Sequence, residues 1–233
     1  GSERFVLRAD AFHRDTEDYE IPGRAEVDAD EDEPEGVVEN SALRNKGGAV
    51  GASWIGANGF IGLAGSTYRS NYGIPGHSHE HHDDINEKDG EEEEAAVRLD
   101  MDQTRIDLKA GLETSARAAE KIRFRVGHNR YEHVELEGAE VGTRFENDEL
   151  IARMDIAHAE VAGWRGGYGL SLSERDFKAA GEEAFVPPSD TSQLGLFVVE
   201  QRDFGNWRLE LGSRFDSQQI DTGDGRSADH DGF

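Results

Sequence analysis

Apolar and polar side chains alternate along most of this chain with a period of two, and that alternation limits what it can fold into. Within 206–216, Trp207, Leu209, Leu211 and Phe215 fall on one side, and Arg208, Glu210, Arg214 and Asp216 on the other. Trp164, Tyr168, Leu170 and Leu172 alternate with Arg165, Gly167, Gly169, Ser171 and Ser173. Ile106, Leu108, Ala110 and Leu112 alternate with Arg105, Asp107, Lys109 and Glu113, and Ile122, Phe124 and Val126 with Arg123 and Arg125. Leu150, Met154 and Ile156 alternate with Arg153 and Asp155. Successive side chains of a strand point to opposite faces, so each segment reads as a strand with one apolar face. No helical stripe of useful length competes; the best candidate, Ser115 to Lys121, is only a turn.

The pattern predicts nine strands, at about 4–18, 43–55, 60–70, 97–114, 121–131, 148–159, 164–176, 192–203 and 207–217. Tight connections, Ala57-Asn58-Gly59, Ser115 to Glu120, Glu160 to Gly163 and Asp203 to Asn206, alternate with long polar ones at 19–42, 71–96, 132–147, 177–191 and 218 onward. Outer-membrane barrels segregate their loops in this way, with short periplasmic turns and long extracellular loops. The expected fold is therefore all-β: an antiparallel meander forming a partial transmembrane β-barrel, with Leu209, Leu211, Ile106, Leu108, Ile122 and Phe124 outward and Arg208, Glu210 and Arg123 on the concave side. Trp164 and Trp207 each begin a strand after a short turn, the height of an interfacial aromatic girdle. The competing reading is a large soluble antiparallel sheet with its apolar face on a dry core.

Composition narrows the partners. Hydrophobic residues make up 35% of the 233 residues, charged residues 32%, and the formal net charge is −25. Such a charge repels phosphates, which excludes nucleic acid as a partner, and attracts cations. Without cysteine there is no disulfide framework and no thiolate metal site. No stretch approaches the roughly 20 apolar residues of a membrane helix, but a barrel strand needs only about 9–11 residues, half of them apolar. The chain begins in a strand-like segment at Phe5 and ends at Phe233 in a polar stretch, and both ends read as cut.

Several stretches, in order along nearly the whole chain, resemble the barrel region of TonB-dependent receptors, in particular the branch linked to zinc uptake: Leu7 to Gly23 (LRADAFHRDTEDYEIPG), Asn71 to His77 (NYGIPGH), Glu135 to Asp148 (ELEGAEVGTRFEND), Gly181 to Thr191 (GEEAFVPPSDT) and Asn206 to Asp216 (NWRLELGSRFD). The resemblance implies a 22-strand barrel closed by an amino-terminal plug, of which residues 1–233 would be a barrel fragment lacking the plug and the TonB-contacting segment. It further implies an outer-membrane location, lipid around the barrel, TonB as a partner through the missing amino-terminal part, and a metal such as zinc as imported cargo rather than a tightly bound cofactor.

The densest chemistry lies after the third predicted strand, where His77, His79, His81 and His82 precede Asp83 and Asp84. Imidazole and carboxylate suit borderline divalent ions, and four of the chain's 9 histidines fall in this short run. An unconstrained site of this kind favours copper over zinc, so zinc rests on the resemblance. The competing reading is a solvated acidic loop, and Glu91 to Glu94 read as solvating charge. His13, His128 and His133 are secondary candidates, the first two for lining the lumen; His158 reads as structural, and His230 lies in the trailing stretch. Glu182, Glu183 and Asp190 beside Pro187-Pro188 offer no pocket for acid–base chemistry, and no nucleophile elbow, phosphate loop or HExxH motif occurs, so the chain does not read as an enzyme. A metal-importing receptor, an acidic metal-binding β protein without transport and a passive porin remain open.

Overall fold

The computed structural model describes residues 4–25, 34–78, 96–138, 140–181 and 184–232, with 77 and 78 as backbone only. These residues form one sheet of ten strands in chain order: β1 Phe5–Thr16, β2 Leu43–Ile55, β3 Gly59–Ser78, β4 Ala96–Glu113, β5 Lys121–Glu137, β6 Glu140–Ala157, β7 Trp164–Gly181, β8 Ser189–Phe204, β9 Trp207–Thr222 and β10 Ser227–Gly232. Every neighbouring pair is antiparallel, and the sheet is open, with β1 and β10 as its edges.

The register shows why the alternation matters. Phe5, Trp54, Ile61, Ala110, Phe124, Met154, Leu170, Leu196 and Phe215 are successive cross-strand partners, an unbroken apolar row over nine strands. The row two residues along is Leu7, Ala52, Leu63, Leu108, Val126, Ala152, Leu172, Leu194 and Ser217. Between them, on the opposite face, run Val6, Ser53, Gly62, Lys109, Arg125, Arg153, Ser171, Gly195 and Asp216. The expected partition holds: Leu209, Leu211, Ile106, Leu108, Ile122 and Phe124 share the apolar face, and Arg208, Glu210 and Arg123 the polar one.

Among the described residues the apolar face packs on no second layer. Among the described residues the only buried hydrophobic side chains are Val97, Val134 and Ala179, while Leu7, Leu63, Leu172 and Leu211 stand exposed. Each large apolar side chain moved out of water contributes roughly 1.5–3 kcal/mol. Two such rows left in water therefore forfeit on the order of tens of kcal/mol, a deficit that an apolar medium removes. The dry core that the soluble alternative requires is not found among the described residues.

The belt is also inclined. In β1 it ends at Ala11, six residues beyond Phe5, whereas in β9 it ends at Phe215, in Phe5's own row. Six residues at about 3.4 Å, over eight strand spacings of about 4.8 Å, give a slope of roughly 28°. Strands tilted in a barrel produce this drift, their usual tilt being about 35–45°.

Curvature follows from contacts across glycine. On the polar face, side chains two strands apart meet: the Phe12 and Tyr68 rings lie 6.0 Å apart on either side of Gly47, and Arg153 sits 4.6 Å above the Phe197 ring, across Gly169. The Nη2 of Arg214 donates to the Ser171 hydroxyl at 3.3 Å across Gly195. The apolar face mostly joins adjacent strands, as in Arg44–Asp15, Arg69–Asp102 and Arg130–Asp148, the exception being His158–Glu200 across Gly166 at the short-turn end. Side chains converge on the concave side of a curved sheet, so the polar face is the concave one.

Three sequence expectations change. A tenth strand, β10, occupies part of the stretch read as a trailing loop. The predicted long connections at 132–147 and 177–191 are largely strand, because β5, β6, β7 and β8 run on past the belt. Loop lengths consequently segregate at one end only. The turns 56–58, 114–120, 158–163 and 205–206 are all short, whereas the far end mixes 17–42 and 79–95 with 138–139, 182–188 and 223–226. The cause is physical: above the belt polar residues fall on both faces, so the alternation is lost while the ladder hydrogen bonds continue.

One region at the far end does pack. The register of β3 and β4 shifts between Gly73 and Ser78, and residue 40 lies against the irregularity. Asn40, at φ 57, donates from Nδ2 to the carbonyls of Ile74 (3.2 Å) and Val97 (2.7 Å), and its Oδ1 accepts from Arg98 Nη1 at 3.1 Å. A Cβ on Gly73 would lie 2.0 Å from the Asn40 oxygens, so only glycine admits this approach. Asp18 Oδ1 accepts the amides of Ser41 (2.7 Å) and Ala42 (2.6 Å), which pins the end of the first long connection to its start.

Candidate functional site

The histidine run begins where β3 ends. His77 is the next-to-last residue of β3, two residues beyond Pro75, and Ser78 pairs with Ala96 of β4. The run thus leaves the sheet at the end opposite the short turns. The His77 side chain and residues His79, His81, His82, Asp83 and Asp84 lie outside the described residues. Among the described residues no group of three or more His, Asp or Glu is arranged to hold a metal ion.

The register corrects the reading of two other histidines. His13 is the cross-strand partner of Lys46 and His128 of Ile106 and Leu150, so both stand on the apolar face, His13 above the belt and His128 at its upper edge, and neither lines the concave side. His128 Nε2 lies 2.6 Å from Asp148 Oδ1, whose other oxygen accepts from Arg130 Nε at 3.1 Å. Arg130 and Asp148 rim a groove of about 710 Å³ with Asp102, Glu132, Glu146 and Lys178. Asp190 is the cross-strand partner of Asp176, and Glu182 and Glu183 lie outside the described residues.

His133 is on the concave face. It stands opposite Met101 and Phe145, its ring 4.6 Å from the Phe145 ring, and the Tyr131 hydroxyl hydrogen-bonds its Nδ1 at 2.9 Å. This histidine occupies a half-buried aromatic pocket rather than an array of ligands.

His158, in the turn after β6, is structural as expected. Its Nδ1 is 2.7 Å from the Ala159 carbonyl and its Nε2 2.7 Å from Glu200 Oε1. Two acceptors on one ring require both nitrogens to be protonated, and the Ala159 carbonyl first, with Glu200, raises its pKa above the ordinary imidazole value. Gly166 lies between the partners' strands; a Cβ there would meet the Val199 carbonyl at 2.1 Å. Nearby, Arg202 lies over the rings of Trp164 (5.8 Å) and Phe204 (4.7 Å), and Trp207 is 80% exposed beside Phe204 on the same apolar face. The aromatic residues gather at the short-turn end, where the girdle was expected.

Sequence reasoning missed the concave wall of β4, β5 and β6. Its cations Lys109, Arg125 and Arg153 are successive cross-strand partners, a juxtaposition that alternation shows only once the register is known.

No known family profile matches the sequence. In fold, the chain is similar to the FrpB iron transporter from Neisseria meningitidis. The F3-3 variant aligns over 100% of this chain and 40% of its own length, with a TM-score of 0.75 and 13% identity. The F5-1 variant aligns over 100% and 39%, at 0.76 and 12%. The copper transporter OprC aligns over 100% of this chain and 37% of its own, at 0.67 and 13%. The chain spans about two fifths of the length of these proteins, and what it shares with that part of them is the fold.

Proposed function

We propose that this chain is part of the barrel of an outer-membrane, TonB-dependent receptor that imports a metal ion. The observation that carries the reading is the unbroken apolar row from Phe5 to Phe215 on the convex face, with the charged row behind it. That arrangement suits lipid outside and water inside. The likeness to iron and copper transporters supports metal as the cargo class. Zinc rests on the sequence resemblance.

Capture falls to His77, His79, His81 and His82, with Asp83 and Asp84 as auxiliary ligands, on the connection between β3 and β4. The acidic field of the chain concentrates cations there, and imidazole binds borderline metals. Transport requires the rest of the barrel, a plug and coupling to TonB, in the complete protein.

The test replaces the four histidines with Ala in the complete receptor and follows zinc binding and zinc-limited growth. Capture at low zinc should fail and high zinc should restore growth. In the unaltered receptor, binding should weaken as pH drops through about 6.5, because protonated imidazole cannot ligate. Unchanged affinity and growth would reduce the run to a solvated spacer.

A further inference from the structure

The charge of the concave wall opposes the charge of the chain. The sequence carries −25. Yet Lys109, Arg125 and Arg153 stand directly opposite one another on β4, β5 and β6, and Arg123 lies two residues from Arg125 on the same face. Like charges directly opposed across strands are destabilising. Compensation within the wall is partial. Asp155 binds both Arg125 Nη2 (2.8 Å) and Arg153 Nε (2.9 Å), and Asp107 holds Arg105 Nε at 2.7 Å. Lys109 and Arg123 have no ion-pair partner among the described residues.

Arg123 borders a groove of about 470 Å³ that is also lined by Lys121, Asp155, Arg165, Phe197 and Gln201, and Lys109 is the diagonal neighbour of Arg123 on the same wall. The floor of the groove includes Gly167, where an added Cβ would collide with the Ile156 carbonyl at 2.5 Å. Lys121 is engaged by Glu113 and Arg165 by Asp203, so the uncommitted charge on this side of the groove is Arg123. A flat floor, a ring wall and cations in excess match a planar anion, and guanidinium groups bind carboxylates through paired hydrogen bonds. A bare divalent cation is repelled by the same field.

We infer that the concave wall of β4–β6 is a carboxylate-binding site in which Lys109 and Arg123 contact the ligand, while Arg125 and Arg153 are held in place by Asp155. The inference rests on the barrel reading only for the statement that this face borders a lumen. The carboxylate comes from one of two sources: a free polycarboxylate in the lumen, or an acidic segment of the same polypeptide.

The experiment uses the complete protein and citrate as the probe. Two double variants are compared, Lys109→Gln with Arg123→Gln, and the charge-preserving Lys109→Arg with Arg123→Lys. Heat-modifiable gel mobility reports that each barrel is intact. Neutralisation should weaken citrate binding by about tenfold or more, since each substitution removes a charge-assisted hydrogen bond. The charge-preserving pair should retain binding. If citrate does not bind but neutralisation alone lowers the melting temperature, the carboxylate is the protein's own and the site stands. If citrate does not bind and both variants melt like the unaltered protein, or if citrate binds equally to all three, the proposal is overturned. Zinc capture measured on the same preparations separates this result from the histidine-run reading, because Lys109 and Arg123 are not its ligands.

Discussion

At one height on the sheet, the two faces of β7 carry different chemistry. Leu172 stands in a row that is apolar from Leu7 to Leu194, and the adjacent Ser173 in the row Arg8, Gly51, Ala64, Asp107, Gly127, Ile151, Ser173, Gln193 and Gln218. The backbone is the same, the strand is the same, and only the direction of the side chain differs. The contrast teaches that this sheet is stabilised by what covers its convex face rather than by a core of its own. It also assigns charge: ions on the concave side remain hydrated or paired, whereas an ion among the apolar rows would have neither water nor a partner.

The largest expected effect comes from placing one charge on each face. Leu172→Arg should destabilise the complete barrel by about 2–4 kcal/mol, the cost of a basic residue near the bilayer midplane, while Ser173→Arg should fall within about 0.5 kcal/mol of the unaltered protein. Reversible unfolding in lipid vesicles measures both. Equal effects would erase the distinction between the faces.

A smaller effect sharpens the contrast at the short-turn end. His158→Ala removes a charged partner from Glu200, whose Oε2 is buried without a hydrogen bond, and should cost about 1–3 kcal/mol. The pH dependence has a fixed sign. The folded pKa of His158 is raised, so its contribution is complete below the unfolded value of about 6.5 and is lost as pH rises through the higher folded value. Unfolding of the unaltered protein and of His158→Ala should therefore differ most at acidic pH and converge in alkali; a constant difference would show that the ring acts by packing alone.

The belt was legible in the sequence because every second residue reports the medium it faces. Leu209, Leu211, Ile106 and Leu108 announced their side before any register was known. The strand extensions were not legible. Tyr131 to Glu137 and Glu140 to Asn147 pair along a hairpin that carries apolar and polar residues on both faces, so no clean alternation marks it. The same limit misassigned His13 and His128: their parity matched the apolar set, but at the belt's upper edge and above it that parity leads to the outer rim and not to the lumen. Charge convergence on the wall was hidden for another reason. Lys109, Arg125 and Arg153 are far apart in sequence, and only the ladder brings them together.

The central claim, that the apolar row faces lipid and the alternate row faces water, is tested most directly by cysteine scanning of β7. The chain has no cysteine, so each label is unique within it. Single cysteines at positions 165 to 178 of the complete protein, embedded in vesicles, are reacted with a membrane-impermeant thiol reagent under conditions in which both aqueous sides are exposed. Reactivity should alternate through the belt, with Tyr168, Leu170 and Leu172 protected and Gly169, Ser171 and Ser173 reactive. Beyond Glu174 the protection should disappear from both faces. Uniform reactivity along 168–173, or protection of the odd-numbered positions instead, would contradict the account.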